Sequence, residues 1–132
     1  MPFTWPSTVR FVDTDASGRI HYTAMLRHFE AAEHEFLEHL GCSYQAGRGF
    51  DVDFPRVHVE VDFMIPLSYN DRIEVQVSVE RIGKTSFTLA FLTLLAGQPA
   101  TKGRIVVVAI DRQARKPVPV PERMLECLRK AA

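Results

Sequence analysis

Apolar and polar positions along the 132-residue chain follow two different rhythms. From Tyr22 to Leu40 the apolar residues Tyr22, Leu26, Phe29, Ala32, Phe36 and Leu40 recur every three or four positions, which predicts a helix with one buried stripe. Glu30, Glu35 and Glu38 fall mostly off that stripe, and Gly41 suits a C-terminal stop. Downstream the rhythm is two. Val57, Val59, Val61, Phe63 and Ile65 alternate with His58, Glu60, Asp62 and Met64. Ile73, Val75, Val77 and Val79 alternate with Glu74, Gln76, Ser78 and Glu80, predicting a strand with one wet face. Pro66 ends the first run, and Tyr69-Asn70-Asp71 makes a turn between the two. A third strand covers residues 86–95, followed by a Gly97-Gln98-Pro99 turn. Residues 105–110 are apolar at every position and suit a strand covered on both sides. Near the start, TVRFV alternates, predicting a first strand over residues 8–13 with Val9 and Phe11 on one face. Residues 42–53, broken by Gly47 and Gly49, read as a loop. KPVPVP is an extended connector, and Pro121 can open a short last helix.

A long helix with a single apolar stripe needs a sheet to cover it, and four consecutive strands with short turns pair antiparallel. The expected class is α+β: a curved antiparallel sheet wrapped around one long central helix, as one domain spanning residues 1–132. Such a sheet leaves edge strands that pairing with another subunit would cover, so a homodimer at least is expected.

Composition changes this picture little. Hydrophobic residues make up 46% and charged residues 24%, an ordinary globular balance. Lys plus Arg equals Asp plus Glu at 16 each, which argues against a nucleic-acid surface but leaves room for a local basic patch. No apolar run is long enough to span a bilayer, and MPFTWPSTVR lacks the basic and apolar regions of a signal peptide. Cys42 and Cys127 have no metal-site spacing and are expected to be reduced thiols in a cytoplasmic protein, with a disulfide or a catalytic cysteine as the lesser alternatives. No metal or separate cofactor is expected.

The chemistry gathers in DTDASGRIHY, between the first strand and the long helix. The first N–H groups of a helix have no internal partners and carry partial positive charge. Such an end can polarise a carbonyl, and Asp15 lies a few residues before it. A carboxylate beside an oxyanion-stabilising helix end is a usable pair for acyl transfer, attacking the carbonyl or activating water. The same residues also serve as turn and capping groups, and His21 reads equally as a cap.

VRFVDTDASGRIHYTAMLRHFEAAEHEFLEHLG resembles the opening of the hotdog-fold acyl-CoA thioesterases of the 4-hydroxybenzoyl-CoA thioesterase group. FPRVHVEVDFMIPLSYNDRIEV is similar to that family's second strand and Pro-x-x-x-x-Asp turn, RIGKTSFTL to its next hairpin, and KPVPVPERML to its C-terminal connector and helix. The resemblance implies a fold with active sites at a dimer interface and hydrolysis of an acyl-CoA to free acid and coenzyme A. It assigns the catalytic carboxylate to Asp15, the polarising N–H to Tyr22, and the turn glycine to Gly18, with His21 beside them. It places the coenzyme A nucleotide near Lys84, Thr85 and Ser86, with Lys116 a second cation. Coenzyme A is a polyanion, so a few local cations suffice.

Phe29, Phe54, Phe63 and Met64 are candidate acyl-pocket residues that also read as plain core, and His58 is a polar strand position with no assigned task. Two other readings stay open. A hotdog hydratase or dehydratase would use Asp15 and His21 together on a water and would consume an enoyl thioester without releasing thiol. A non-catalytic acyl-CoA-binding module would bind without turnover. The acyl group, coenzyme A against acyl carrier protein as the carrier, and dimer against tetramer are open at this level.

Overall fold

The structure, a computed structural model, describes residues 2–44 and 50–132. In chain order they form β1 (Phe3–Thr8), a single 3₁₀ turn (Phe11–Asp13), α1 (Tyr22–Leu40), β2 (Val52–Asp53), β3 (Arg56–Phe63), β4 (Arg72–Ile82), β5 (Ser86–Leu95), β6 (Gln98–Val108), β7 (Ile110–Asp111) and α2 (Glu122–Ala131). Five strands make one antiparallel sheet in the order β1-β4-β5-β6-β3, and β2 pairs with β7 beside it. The register shifts between Val79 and Arg81, between Thr93 and Leu94, and between Arg56 and His58. Such irregularities bend strands and raise their twist, which lets a sheet curl around a helix.

The alternation read in β4 sets its two faces: Ile73, Val75 and Val77 are buried, while Glu74 and Ser78 are exposed. The buried face receives α1. Phe29 of α1 stacks on Phe91 of β5, ring centroids 4.7 Å apart. Beneath the Phe29 ring β6 carries Gly103, where an added Cβ would lie 2.4 Å from a ring carbon and 3.0 Å from the Glu60 carbonyl. The missing side chain is what lets the ring reach the sheet. Farther along α1, fully buried Glu33 forms an ion pair with Arg56 of β3, whose guanidinium lies 4.8 Å from the Tyr44 ring centre. The helix therefore touches the sheet through a ring in the middle and a charge at an edge.

Five expectations are corrected. The first strand lies earlier, at residues 3–8, because β1 is a sheet edge and an edge strand tolerates Pro6. Residues 8–13 leave the sheet instead. Val9 is buried, but Phe11 and Val12 are 77% and 79% exposed, since the Arg10 N–H bonds Asp13 Oδ2 at 2.8 Å and closes a turn. The buried stripe of α1 runs through Ala24, Met25, His28, Phe29, Ala32, Glu33, Phe36 and Leu37, leaving Tyr22 on the outside. The reversal before β6 is at Ala96-Gly97, both at positive φ, and Gln98 and Pro99 already belong to the strand. The two cysteines are not separate thiols: Cys42, just past α1, meets Cys127 of α2 in sulfur–sulfur bonding contact, Cα atoms 6.5 Å apart. Of the loop expected over residues 42–53, Gly47 and Gly49 lie outside the described residues, and Val52 and Asp53 are strand.

Gly103→Ala should push Phe29 off its seat and destabilise the fold by about 1–3 kcal/mol in urea unfolding. An unchanged midpoint would contradict this account of how α1 is seated.

Candidate active site

The two aspartates of DTDASGRIHY, two positions apart, sit in opposite environments. Asp13 is 5% exposed and Asp15 is exposed. Asp13 Oδ2 accepts from the Arg10 N–H at 2.8 Å and from His28 Nε2 at 3.0 Å, and Oδ1 accepts from Arg27 at 3.2 Å. Burial pushes its carboxyl up, but the Arg10 N–H, His28 and Arg27 outweigh burial and hold it below the ordinary range. Its carbonyl accepts from the His21 N–H at 2.7 Å, joining the two ends of the loop.

Inside the loop Thr14 bridges Ile20, the Asp15 N–H donates to the Arg19 carbonyl at 2.9 Å, and the Gly18 N–H donates to the Asp15 carbonyl at 3.0 Å. Gly18 makes the turn at φ 81°, where a side chain would be strained. A second set of bonds ties the loop to the segment before β4: Ile20 N–H to the Leu67 carbonyl at 2.7 Å and Tyr69 N–H to the Gly18 carbonyl at 3.2 Å. The Asp15 carboxylate therefore projects from a turn pinned on both sides. Its Oδ1 accepts from the Ser17 hydroxyl at 2.5 Å and the Ser17 N–H at 2.8 Å. These Ser17 bonds hold the Asp15 carboxyl below its ordinary range, with Arg19 and His21 adding to the effect. Both Ser17 bonds fall on Oδ1.

The helix start lies directly after this turn. His21 is the N-cap of α1: its Nδ1 faces the Thr23 N–H at 3.2 Å and the Thr23 hydroxyl at 2.7 Å, and its ring stacks on Tyr22. The Tyr22 N–H meets no acceptor among the described residues. An exposed, ionised carboxylate and an unpartnered helix N–H are thus held on one short loop. That arrangement can receive a carbonyl carbon and its oxygen.

The proposed nucleotide-binding residues group separately. The Lys84 and Thr85 carbonyls accept from the Val120 and Ala109 N–H groups at 3.0 and 2.9 Å, so the β4–β5 turn, including Ser86, and the C-terminal connector form one surface. Exposed Lys116 lies on that connector, its carbonyl bonded to the Asp111 N–H at 3.0 Å. The Asp15 loop is fastened just before β4, and Lys84 follows its end. Eleven strand residues, Arg72–Ile82, separate them, about 30 Å at ordinary strand rise. One protomer does not bring Asp15 and Lys84 together. Of the pocket candidates, Phe29 is core and Phe54 packs among Tyr44, Phe50 and Phe87, whereas Phe63 and Met64 are half-exposed along β3. His58 pairs with Glu60 at 2.8 Å. The sequence reading missed His28 and Ser7. His28 stands beside Phe29 on the buried stripe, as Glu33 does farther along, and each is satisfied only by a partner distant in sequence.

No helix among the described residues is long and apolar enough to cross a membrane, and no group of His, Cys, Asp and Glu among them is placed to hold a metal ion.

Comparison with known proteins gives the family and the fold. Residues 9–128 match the model of the thioesterase-like superfamily. A 1,4-dihydroxy-2-naphthoyl-CoA hydrolase of Synechococcus sp. (strain WH7803) is 34% identical over 129 residues, covering 89% of this chain and 84% of that protein. A crystal structure of an Aquifex aeolicus protein superposes with a TM-score of 0.89 at 28% identity, covering 96% of this chain and 99% of the other. That of a 1,4-dihydroxy-2-naphthoyl-CoA thioesterase from Synechocystis gives 0.89 at 24% identity, over 97% and 96%, a likeness of fold. The chain belongs to the thioesterase-like superfamily, with the hotdog fold, and its class of enzyme is thioester hydrolase.

Asp13 links the site to acid stability. Its folded pKa is lowered from 3.8. The stability it contributes is present above that ordinary value and is lost as pH falls through the lower folded value. Asp13→Asn should cost about 1.5–3 kcal/mol at neutral pH and flatten the acid limb of a stability–pH curve. A variant with wild-type stability at pH 7 would contradict the pinning role.

Proposed function

We propose that this chain hydrolyses an acyl-CoA thioester to the free acid and coenzyme A, with Asp15 as the reacting carboxylate. The observation that carries the reading is the pairing just described: an exposed, ionised carboxylate on a pinned turn immediately before an unpartnered helix start. The thioester carbonyl rests on the Tyr22 N–H, which stabilises the oxyanion as charge develops. A lowered pKa keeps Asp15 ionised, the form that direct attack on the carbonyl carbon requires. Attack forms a mixed anhydride and expels the coenzyme A thiolate, and water then cleaves the anhydride and restores the carboxylate. Gly18 shapes the turn, and His21 caps the helix and adds positive potential near Asp15.

The working unit is a homodimer or a higher assembly. β3 is paired on one side only, and Val57, Val59 and Phe63 stand exposed on it, with Met64 exposed just after it. Phe11, Val12, Tyr22 and Tyr69 are exposed around the Asp15 loop. A second copy covers these surfaces and brings its own Lys84, Thr85, Ser86 and Lys116 to the coenzyme A nucleotide, which the Lys84 of the same protomer is too distant to reach. Relatives named as hydrolases of an aromatic acyl-CoA put aryl acyl groups first among substrates to try.

Thiol release, followed with a chromogenic thiol reagent over a panel of aryl and aliphatic acyl-CoAs, tests this reading. Wild type should release thiol, and Asp15→Asn should lower kcat at least about a hundredfold with fold and assembly intact. Near-normal turnover by Asp15→Asn would overturn the assignment. Consumption of an enoyl-CoA without thiol release would show a hydratase instead, and binding without any turnover a binding module.

A further inference from the structure

A second group of polar residues, away from the Asp15 carboxylate, has the geometry of a nucleophilic relay. Ser7 Oγ lies 2.7 Å from His28 Nδ1, and His28 Nε2 lies 3.0 Å from Asp13 Oδ2. The proton positions follow from chemistry. Asp13 is held ionised and can only accept, so His28 Nε2 carries the hydrogen that it donates. That leaves a lone pair on Nδ1, and the Ser7 hydroxyl donates to it. Acid, base and hydroxyl thus stand in the order and polarity in which a carboxylate fixes an imidazole and the imidazole draws a proton from serine. His28 and Asp13 are 8% and 5% exposed, while Ser7, half-buried on the edge strand β1, pairs with buried Ile73 and so lies on the sheet face that receives α1. All three line a cavity of about 830 Å³.

We propose that Ser7 is the nucleophile of a second acyl-transfer site in this cavity, acting on small activated esters whose acyl part carries a carboxylate. The substrate class comes from the walls. Arg10, Arg27 and Arg72 line the cavity, against Asp13 and Glu74. Arg27 is spent on Asp13, and neither Arg10 nor Arg72 forms an ion pair among the described residues. Ser7 Oγ attacks the carbonyl carbon while its proton passes to His28 Nδ1. The imidazolium, held by Asp13, returns that proton to the departing alkoxide or phenoxide. Water, giving its proton to the same nitrogen, then cleaves the acyl-serine to the acid and free Ser7. This site does not depend on Asp15, and the tests keep the two apart.

Two probes read it. A fluorophosphonate should form one adduct, Ser7 Oγ displacing fluoride, located by peptide mass mapping. The adduct should form in wild type and in Asp15→Asn, be absent in Ser7→Ala, and form about a hundredfold more slowly in His28→Gln, as loss of a general base predicts. Mono-p-nitrophenyl glutarate should be hydrolysed faster than p-nitrophenyl acetate, with the preference falling in Arg72→Ala. Ser7 left unlabelled by the fluorophosphonate would overturn the proposal, as would labelling of Ser7 at the wild-type rate in His28→Gln. A glutarate ester turned over no faster than the acetate would overturn the anionic-substrate assignment.

Discussion

The seat of Phe29 fixes where the long helix lies, and the rest of the molecule follows from it. A ring pressed against a strand position without a side chain leaves α1 no freedom to shift along the sheet. The start of α1 is then held by Asp13, which bonds Arg27 and His28 on the helix, the Arg10 N–H before the loop and, through its carbonyl, the His21 N–H at its end. A charge that burial alone would neutralise is kept ionised by these partners. One aspartate is consumed in fixing the loop, and the other is presented on it.

Much of this was legible in the sequence, for identifiable reasons. The bounds of α1 are readable because a long period-three-and-four pattern ends in Gly41, which adopts the left-handed cap at φ 84°. The β4 alternation is readable because one face is wet. β1 was hidden because FTWPST reads as loop to any rule that penalises proline, and only knowledge that it is an edge strand removes the penalty. The burial of His28 and Glu33 was hidden because each is satisfied by a partner distant in sequence, Asp13 and Ser7 for one and Arg56 for the other. The meeting of Cys42 with Cys127, 85 positions apart, likewise depends on how α2 docks on α1. In the site itself, spacing could not say which aspartate is buried. The resemblance named Asp15 as the reacting carboxylate, and the burial of Asp13 came only with the fold.

The site also shows where a single chain stops being enough. β4 runs from the Asp15 loop to the Lys84 turn, so the carboxylate and the candidate nucleotide-binding lysine stand at opposite ends of one strand. The exposed apolar side chains along β3 and around the Asp15 loop supply a reason for two copies to meet. The account's central claim is accordingly a shared one: the carboxylate of one copy works with the cations of another.

Mixed assemblies test that claim most directly. Asp15→Asn and Lys84→Glu protomers, carrying different tags and purified as the heterodimer, would be assayed for thiol release at low acyl-CoA concentration. Each variant alone should be impaired. In the heterodimer one of the two sites is intact, so kcat/KM should recover to about half of the wild-type value. A heterodimer no more active than the better of the two variants alone would contradict the shared site.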